Sequence, residues 1–162
     1  MPTSDYHIYS GGAIGIDEYV EQCAKEHGMH RHIIIPPGHS RSKFLTPLTQ
    51  QELDEAEPHL QQASQRINKL MVCRNSFERR LLQRNYHIIK NVQAVYAFGY
   101  FYGTGGEHFT PSREIYKYHA FDRQRVQGGT GWTVQLAIDE KKKVYFYDIN
   151  HRTWYETQLD HY

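Results

Sequence analysis

The chain has 162 residues, which is enough for one domain with its own core, and its 19 Lys and Arg nearly balance its 18 Asp and Glu. The formal charge of +1 at pH 7 provides no overall field to hold a nucleic acid or an anionic membrane, so any site for an anion must be local. The 13 Tyr, 7 Phe and 2 Trp predict a small core that is rich in aromatic rings.

Cysteine usage and the absence of apolar runs predict a cytoplasmic location. Cys23 and Cys73 follow an N-terminus without the pattern of a signal peptide, and we predict that both are buried thiols in a reducing compartment. No apolar run approaches the roughly 20 residues that cross a bilayer. We therefore expect a soluble protein that makes no membrane contact.

The first 38 residues predict a strand, a glycine turn, a helix and a second strand. Residues 6–9 are β-prone, and Ser10-Gly11-Gly12 interrupts them. Apolar positions then recur at helical spacing, at Ile16, Val20, Cys23 and Ala24. Residues 32–35 form an apolar run that ends at Pro36, which is typical of a strand buried on both faces of a parallel sheet.

The middle of the chain predicts helices followed by a third strand. Residues 38–57 are polar and are interpreted as an insertion, in which Thr49 and Glu52 predict a capping box for a short helix that ends before Pro58. Two further helices are predicted up to residue 89, with Arg79 and Arg80 on a solvent-exposed face. Residues 94–99 predict a buried strand.

Residues 100–127 form a second irregular stretch, too long for an ordinary connection, and are interpreted as an insertion or lid. A second glycine cluster, Gly128 to Gly131, then begins a helix, which precedes strands near residues 144–147 and 154–156. The alternation of strands and helices predicts one α/β domain over residues 1–162 with insertions at about 38–57 and 100–127.

The two glycine clusters are the most informative features for function. Glycine lets a phosphate approach the exposed N–H groups at a helix N-terminus, where the helix dipole also favours an anion. In an open parallel sheet both clusters fall beyond the carboxyl ends of strands, so they are placed to hold one ligand from two sides. The alternative is that each cluster is a tight turn without a ligand.

Three motifs, in order, resemble those of the SLOG superfamily, which includes DNA-processing protein A, YspA-like proteins and the lonely-guy phosphoribohydrolases. The segment Ser10-Gly11-Gly12-Ala13-Ile14-Gly15-Ile16-Asp17 is similar to the SGGARGAD turn of that superfamily. Arg84-Asn85-Tyr86-His87-Ile88-Ile89 resembles its RNxxI segment, and Gly128-Gly129-Thr130-Gly131-Trp132-Thr133 resembles its second glycine loop. The likeness covers roughly residues 6–35 and 78–148.

The resemblance implies a Rossmann-like three-layer domain, with a mostly parallel sheet and helices on both faces, that binds a nucleotide or a nucleotide-derived ligand. It also implies a homo-oligomer. The candidate ligand-binding residues lie in the two loops and in the strand and helix beside them: Ser10, Gly11, Gly12, Asp17, Arg84, Asn85, Gly99, Gly128, Gly129, Thr130, Gly131, Trp132, Thr133 and Gln135.

A catalytic role is harder to assign, because the lonely-guy motif PGGxGTxxE supplies a glutamate where this chain has Gln135. Gln127 likewise replaces the proline. An amide cannot act as a carboxylate base, so hydrolysis of an N-glycosidic bond would fall to Asp17 or Glu18. For Asp17, complementing the dipole at the start of a helix is an equally good explanation.

The other candidate residues also leave alternatives. Trp132 either stacks on a base or is a ring of the core or of an interface. Arg84 with Asn85 either contacts a ligand phosphate or the loop, or lies on the surface. His30 and His32 alternate along a strand, but no cysteine or carboxylate lies at a spacing that completes a metal site, so we predict neither metal nor cofactor. The favoured function is a nucleotide-binding or sensor domain. The alternatives are the hydrolase and single-stranded DNA binding, which the near-zero charge opposes.

Overall fold

The protein has a mixed α/β fold, seen in a computed structural model that describes residues 5–101, 116–117 and 126–158. This confirms the predicted class. In chain order the elements are β1 (His7–Ser10), α1 (Ile16–Glu26), β2 (His30–Ile33), a 3₁₀ helix (Ser40–Lys43), α2 (Gln50–Ile67), α3 (Phe77–Ile89), β3 (Ala94–Gly99), β4 (Tyr116–Lys117), α4 (Gly128–Asp139), β5 (Lys143–Asp148) and β6 (Thr153–Gln158). The chain divides into two compact units, unit 1 (residues 1–57 and 72–91) and unit 2 (58–71 and 92–162).

Unit 1 contains the predicted strand, turn, helix and strand. β1 and β2 pair in parallel, with His7 opposite His30 and Ser10 opposite Ile33. The predicted burial of the second strand is wrong, because the side chains of His30–Ile33 are exposed or half-buried and the buried Ile35 follows the strand. α1 also differs from its predicted stripe, since its buried residues are Glu21 and Ala24.

Residues 50–67 form one helix rather than two, and Pro58 lies inside it. The predicted capping box at its start is confirmed, because Glu52 N donates to Thr49 Oγ1 over 3.2 Å and Thr49 N donates to a Glu52 carboxylate oxygen over 2.9 Å. Pro58 removes one helical hydrogen bond. Burial of a continuous stripe on both sides of the proline offsets that cost: Leu53, Ala56, Leu60, Ala63 and Ile67.

α3 begins at the Ser76 cap, whose hydroxyl accepts a hydrogen bond from Arg79 N over 3.1 Å. The predicted exposure of Arg79 is wrong, since that side chain is buried against the Glu57 carboxylate, and Arg80 is half-buried. The prediction of two buried thiols also fails, because Cys23 is half-buried and Cys73 is exposed, although both are free.

Unit 2 contains a four-stranded mixed sheet in the order β3-β5-β6-β4. β3 and β5 are parallel, β5 and β6 are antiparallel, and β4 pairs with β6 in parallel. α4 contacts β3 and β5. The buried side chains of the sheet lie on one face: Val95, Ala97, Val144, Phe146 and Tyr155.

The described strands form two sheets, whereas the resemblance predicts a single, mostly parallel sheet. The predicted insertion at 38–57 contains the 3₁₀ helix and the start of α2. Most of the insertion predicted at 100–127 lies outside the described residues. Near the two ends of this insertion, Phe101 and Val126 form an antiparallel bridge. In the described part of the chain, no helix has the length and apolar character needed to span a membrane.

Candidate functional site

The first glycine-rich loop connects β1 to α1 and is held by its own side chains. Ser10 ends β1, and its buried hydroxyl accepts a hydrogen bond from Gly12 N over 3.0 Å while donating to Glu21 over 2.5 Å. Gly12 has φ +69°, which favours glycine because a side chain is strained there. The loop shape therefore depends on Ser10 and Gly12, which are two of the predicted ligand-binding residues.

Arg84 lies beneath this loop and is 7 % exposed. Its Nη1 donates to the carbonyl oxygens of Gly11 and, over 3.1 Å, of Ile34, while Nε donates to Asn85 Oδ1 over 2.9 Å. A Cβ at Gly11 would lie 2.5 Å from Arg84 Nη1, so a side chain at that position would displace the guanidinium. Burial lowers the pKa of Arg84, and the Asp17 carboxylate acts in the opposite direction.

Asp17 and Glu18, the two candidate catalytic carboxylates, cap the start of α1. Ala13 N donates to Asp17 over 3.1 Å, and Gly15 N donates to Glu18 over 3.4 Å. Acidic side chains in the first turn also offset the helix dipole. These contacts fit the structural role that the sequence analysis left open for Asp17, and they occupy two of the loop amides that a phosphate would otherwise use.

Glu21 and Arg41 belong to the same cluster and were not predicted. The buried Glu21 carboxylate accepts two hydrogen bonds from Arg41 Nη1, over 2.9 and 3.1 Å, in addition to the one from Ser10. Arg41 lies in the 3₁₀ helix, and no spacing pattern in the sequence predicts that this helix contacts α1. The only signal in the sequence was an acidic residue three positions before Ala24, on the face that α1 buries.

His39 caps the 3₁₀ helix, and its Nδ1 accepts a hydrogen bond from Arg41 N over 3.1 Å. Burial lowers the pKa of His39, and the positive charges of Arg84 and Arg41 lower it further. The pKa of His32 is also lowered, first by burial and then by the neighbouring His7 and His30. Both histidines are therefore more acidic in the folded chain than the usual value of about 6.5.

We expect the stability of the protein to fall as the pH decreases below about 6.5. Below that pH the unfolded chain binds protons at His39 and His32 that the folded chain does not. The stability that the two histidines contribute is therefore fully present above a pH of about 6.5. It is lost as the pH falls toward the lower pKa values of the folded state. Urea unfolding midpoints between pH 8 and 5.5 measure the effect. His39→Asn keeps an acceptor for Arg41 N without a titrating ring, and its decline should be smaller; a flat wild-type profile would contradict the expectation.

The second glycine-rich loop lies in unit 2, where α4 begins at Gly128. Gln127 is the N-cap but makes no side-chain cap, because its Nε2 donates to Phe101 O over 3.0 Å. No acidic residue lies in the first turn of α4. The N-cap of α4 therefore leaves the first N–H groups of the helix without a side-chain partner among the described residues, whereas Asp17 and Glu18 accept hydrogen bonds from backbone N–H groups at the first loop.

The remaining predicted residues of unit 2 are engaged in packing. Trp132 is buried, which fits the core role rather than stacking on a base. Gln135 is buried as well, and its Nε2 donates to Asp139 over 2.9 Å. Thr133 Oγ1 donates to Gly129 O over 3.2 Å. A Cβ at Gly99 would lie 3.6 Å from Thr130, so those two predicted residues are adjacent.

Unit 2 also contains a buried carboxylate that sequence reasoning missed. Asp148 ends β5 with its side chain 1 % exposed, and it accepts hydrogen bonds from His151 Nδ1 and, over 3.1 Å, from Asn150 N. Ile149 N donates to Gly99 O over 2.9 Å, which places this turn beside the end of β3. The carboxylate fixes the orientation of the imidazole, and a D-x-x-H spacing at a strand end was the available signal.

No protein-family model matches this chain, no curated protein matches it, and no solved structure matches it. Among the described residues, no group of three or more His, Cys, Asp or Glu side chains is arranged to hold a metal ion. The resemblance to the SLOG superfamily therefore stays a prediction from three motifs.

Proposed function

We propose that unit 1 binds a nucleotide, or a small anion derived from one, at the first glycine-rich loop. The observation that supports this most is the environment of Arg84. Its guanidinium is buried, and among the described residues it hydrogen-bonds no carboxylate and leaves Nη2 without a partner. The Asp17 carboxylate opposes the effect of burial on the pKa of Arg84 but forms no hydrogen bond with the guanidinium. A buried cation that lacks a directly bonded anion is costly, and a planar guanidinium matches the oxygens of a phosphate.

The other groups of the loop suit the remaining parts of a nucleotide. The Asp17 and Glu18 carboxylates are acceptors that ribose hydroxyls can use, in competition with the loop amides that they now bind. Ile14 and Tyr19 are exposed, and they offer apolar surface for a base. A phosphate at Arg84 with a ribose at Asp17 is the arrangement that we propose.

The Rossmann-like class is part of the same proposal. It is supported by the parallel β1-α1-β2 segment and by the parallel pair of β3 and β5, which α4 contacts. We keep the second glycine-rich loop as a candidate anion site because of its sequence motif. The absence of a side-chain cap at the start of α4 supports this role. The two free thiols support our proposal of a reducing compartment, the cytoplasm.

Calorimetric titration with AMP, ADP-ribose and cyclic AMP tests the proposal, with adenosine as the ligand that lacks a phosphate. We expect the phosphorylated ligands to bind more tightly than adenosine. Arg84→Lys keeps the charge but loses the fork, and we expect it to weaken binding about tenfold or more, since a hydrogen bond to a charged group contributes roughly 1.5–3 kcal/mol.

The matched control is Arg74→Lys, the same substitution at an exposed arginine of unit 1. It should leave the affinity unchanged, and circular dichroism shows whether each variant is folded. Equal affinities for AMP and adenosine, equal effects of the two substitutions, or no binding by the folded wild type would each overturn the proposal.

Hydrolysis of an N-glycosidic bond is the second candidate, because two carboxylates, Asp17 and Glu18, lie on the same loop. One of them would have to release its backbone N–H to face the ribose. The binding reactions can be analysed for free base by chromatography, and absence of product from every nucleotide that binds would exclude this function for those ligands.

A further inference from the structure

One face of the sheet in unit 2 carries a continuous row of aromatic rings. We call it the aromatic face and define it by the outward side chains of three adjacent strands: Tyr96, Phe98, Tyr145, Tyr147 and Trp154. The register places Tyr96 opposite Tyr145, and Tyr147 lies between Phe98 and Trp154. The opposite face of the same strands forms the buried core.

The rings contact one another across the strands. The Tyr96 and Tyr145 rings are stacked with centroids 4.9 Å apart, and Trp154 lies edge-on to Phe98 at 5.3 Å. The centroids of Tyr147 and Trp154 are 5.2 Å apart. These contacts leave much of the surface uncovered, since Tyr96 is 65 % exposed and Trp154 is 46 % exposed.

The exposed area is comparable with the largest apolar patch of a typical single chain, and such a patch is often functional. If each ring offers about 200 Å², the five leave roughly 350 Å² in contact with water. Patches of this size on a single chain commonly mark an interaction site. The patch is about the size of the apolar centre of a standard interface, in which each partner buries about 800 Å² including a polar rim.

The charges beside the patch favour a second copy of this chain over a charged partner. Lys143 lies over the Tyr145 ring at 5.4 Å and forms an ion pair with Glu156 over 3.5 Å. These two described charges beside the rings balance each other, which does not favour a polyanion or an acidic peptide. A two-fold axis through it would let Lys143 of one copy face Glu156 of the other, which makes the surface complementary to itself.

We infer that two copies of the chain associate through the aromatic face, sheet against sheet, with the rings interleaved at the centre and the Lys143 and Glu156 pairs at the rim. Two sheets pack in this way at about 10 Å in β-sandwiches. The inference uses residues of unit 2 only and does not depend on ligand binding by unit 1.

Trp154 provides a direct probe. The chain has 2 Trp residues, and Trp132 is buried in the core, so Trp132→Phe leaves Trp154 as the single tryptophan. As the protein concentration rises from about 0.1 to 100 µM, where weak dimers of this size form, we expect Trp154 emission to shift to shorter wavelength. Acrylamide quenching should fall in parallel, and sedimentation velocity of the wild type should show a dimer.

Tyr96→Glu places a like charge in each copy within the aromatic face and should raise the dissociation constant at least about tenfold. Its matched control is Tyr19→Glu, the same substitution at a tyrosine of α1 that is 72 % exposed, and this variant should dimerise like the wild type. Because both tyrosines are exposed, both variants should fold, which circular dichroism checks.

Three results would overturn the inference. The first is a monomer at 100 µM with unchanged Trp154 emission, and the second is equal dimerisation of the two glutamate variants. The third is a monomer whose Trp154 emission is quenched by oligo(dT), which would assign the aromatic face to the stacking of nucleic-acid bases instead.

Discussion

Gly131→Ala is expected to destabilise unit 2 by about 3 kcal/mol or more, an effect at the upper end for overpacking. A Cβ at this position would lie 2.1 Å from Val126 O and 3.0 Å from the carbonyl carbon, a separation that real atoms do not adopt. Relief would require movement of the Val126 backbone, which is bridged to Phe101. Urea unfolding, followed by circular dichroism, measures the loss.

The matched control is Gly129→Ala, in the same turn of α4, where a Cβ would meet nothing within 4 Å. Alanine is the better helix former, so this variant should be neutral or more stable by up to about 1 kcal/mol. If Gly131→Ala unfolds at the same urea concentration as Gly129→Ala, the predicted clash is wrong. The expected contrast means that the glycine at 131 is required by packing, whether or not the loop binds a ligand.

The sequence predicts most of the elements, because their signals are local. β1, β3 and β5 are short β-prone or apolar runs bounded by glycine, charge or turn residues, and α4 starts at a glycine cluster. The continuity of α2 could not be predicted, since Pro58 is an unfavourable local signal and the burial that overrides it depends on tertiary contacts.

The residues of the candidate site also divide into those that local sequence signals predict and those whose positions depend on tertiary contacts. Arg84 is predicted from its motif, but its burial beneath Gly11 depends on how α3 packs against the loop, which residue spacing does not specify. Glu21 and Arg41 were missed because they come from elements that are distant in sequence. A charged side chain on a predicted helix face is usually exposed to solvent. No local sequence signal therefore identifies the few charged side chains that are buried as ion pairs.

Arg79 is the clearest such case, and its environment predicts the second large effect. Its Nε and Nη2 donate to the two Glu57 carboxylate oxygens, and Nη1 donates to Val72 O over 2.6 Å. Gln83 Nε2 donates to Glu57 over 2.7 Å. Burial lowers the pKa of Arg79 because it disfavours the charged form. The ion pair and the two hydrogen bonds make Glu57 the partner that compensates for this burial.

Glu57→Ala should therefore cost about 3 kcal/mol of stability, because it leaves a buried guanidinium without its counter-ion. Glu55→Ala is the matched control: Glu55 is about half exposed, lies 3.9 Å from Lys90 and should contribute less than about 1 kcal/mol. Combining Glu57→Met with Arg79→Met removes both charges and should cost less than Glu57→Ala alone. Urea unfolding of the four proteins decides the matter, and equal losses for Glu57→Ala and Glu55→Ala would show that the buried pair is not what holds α2 to α3 in unit 1.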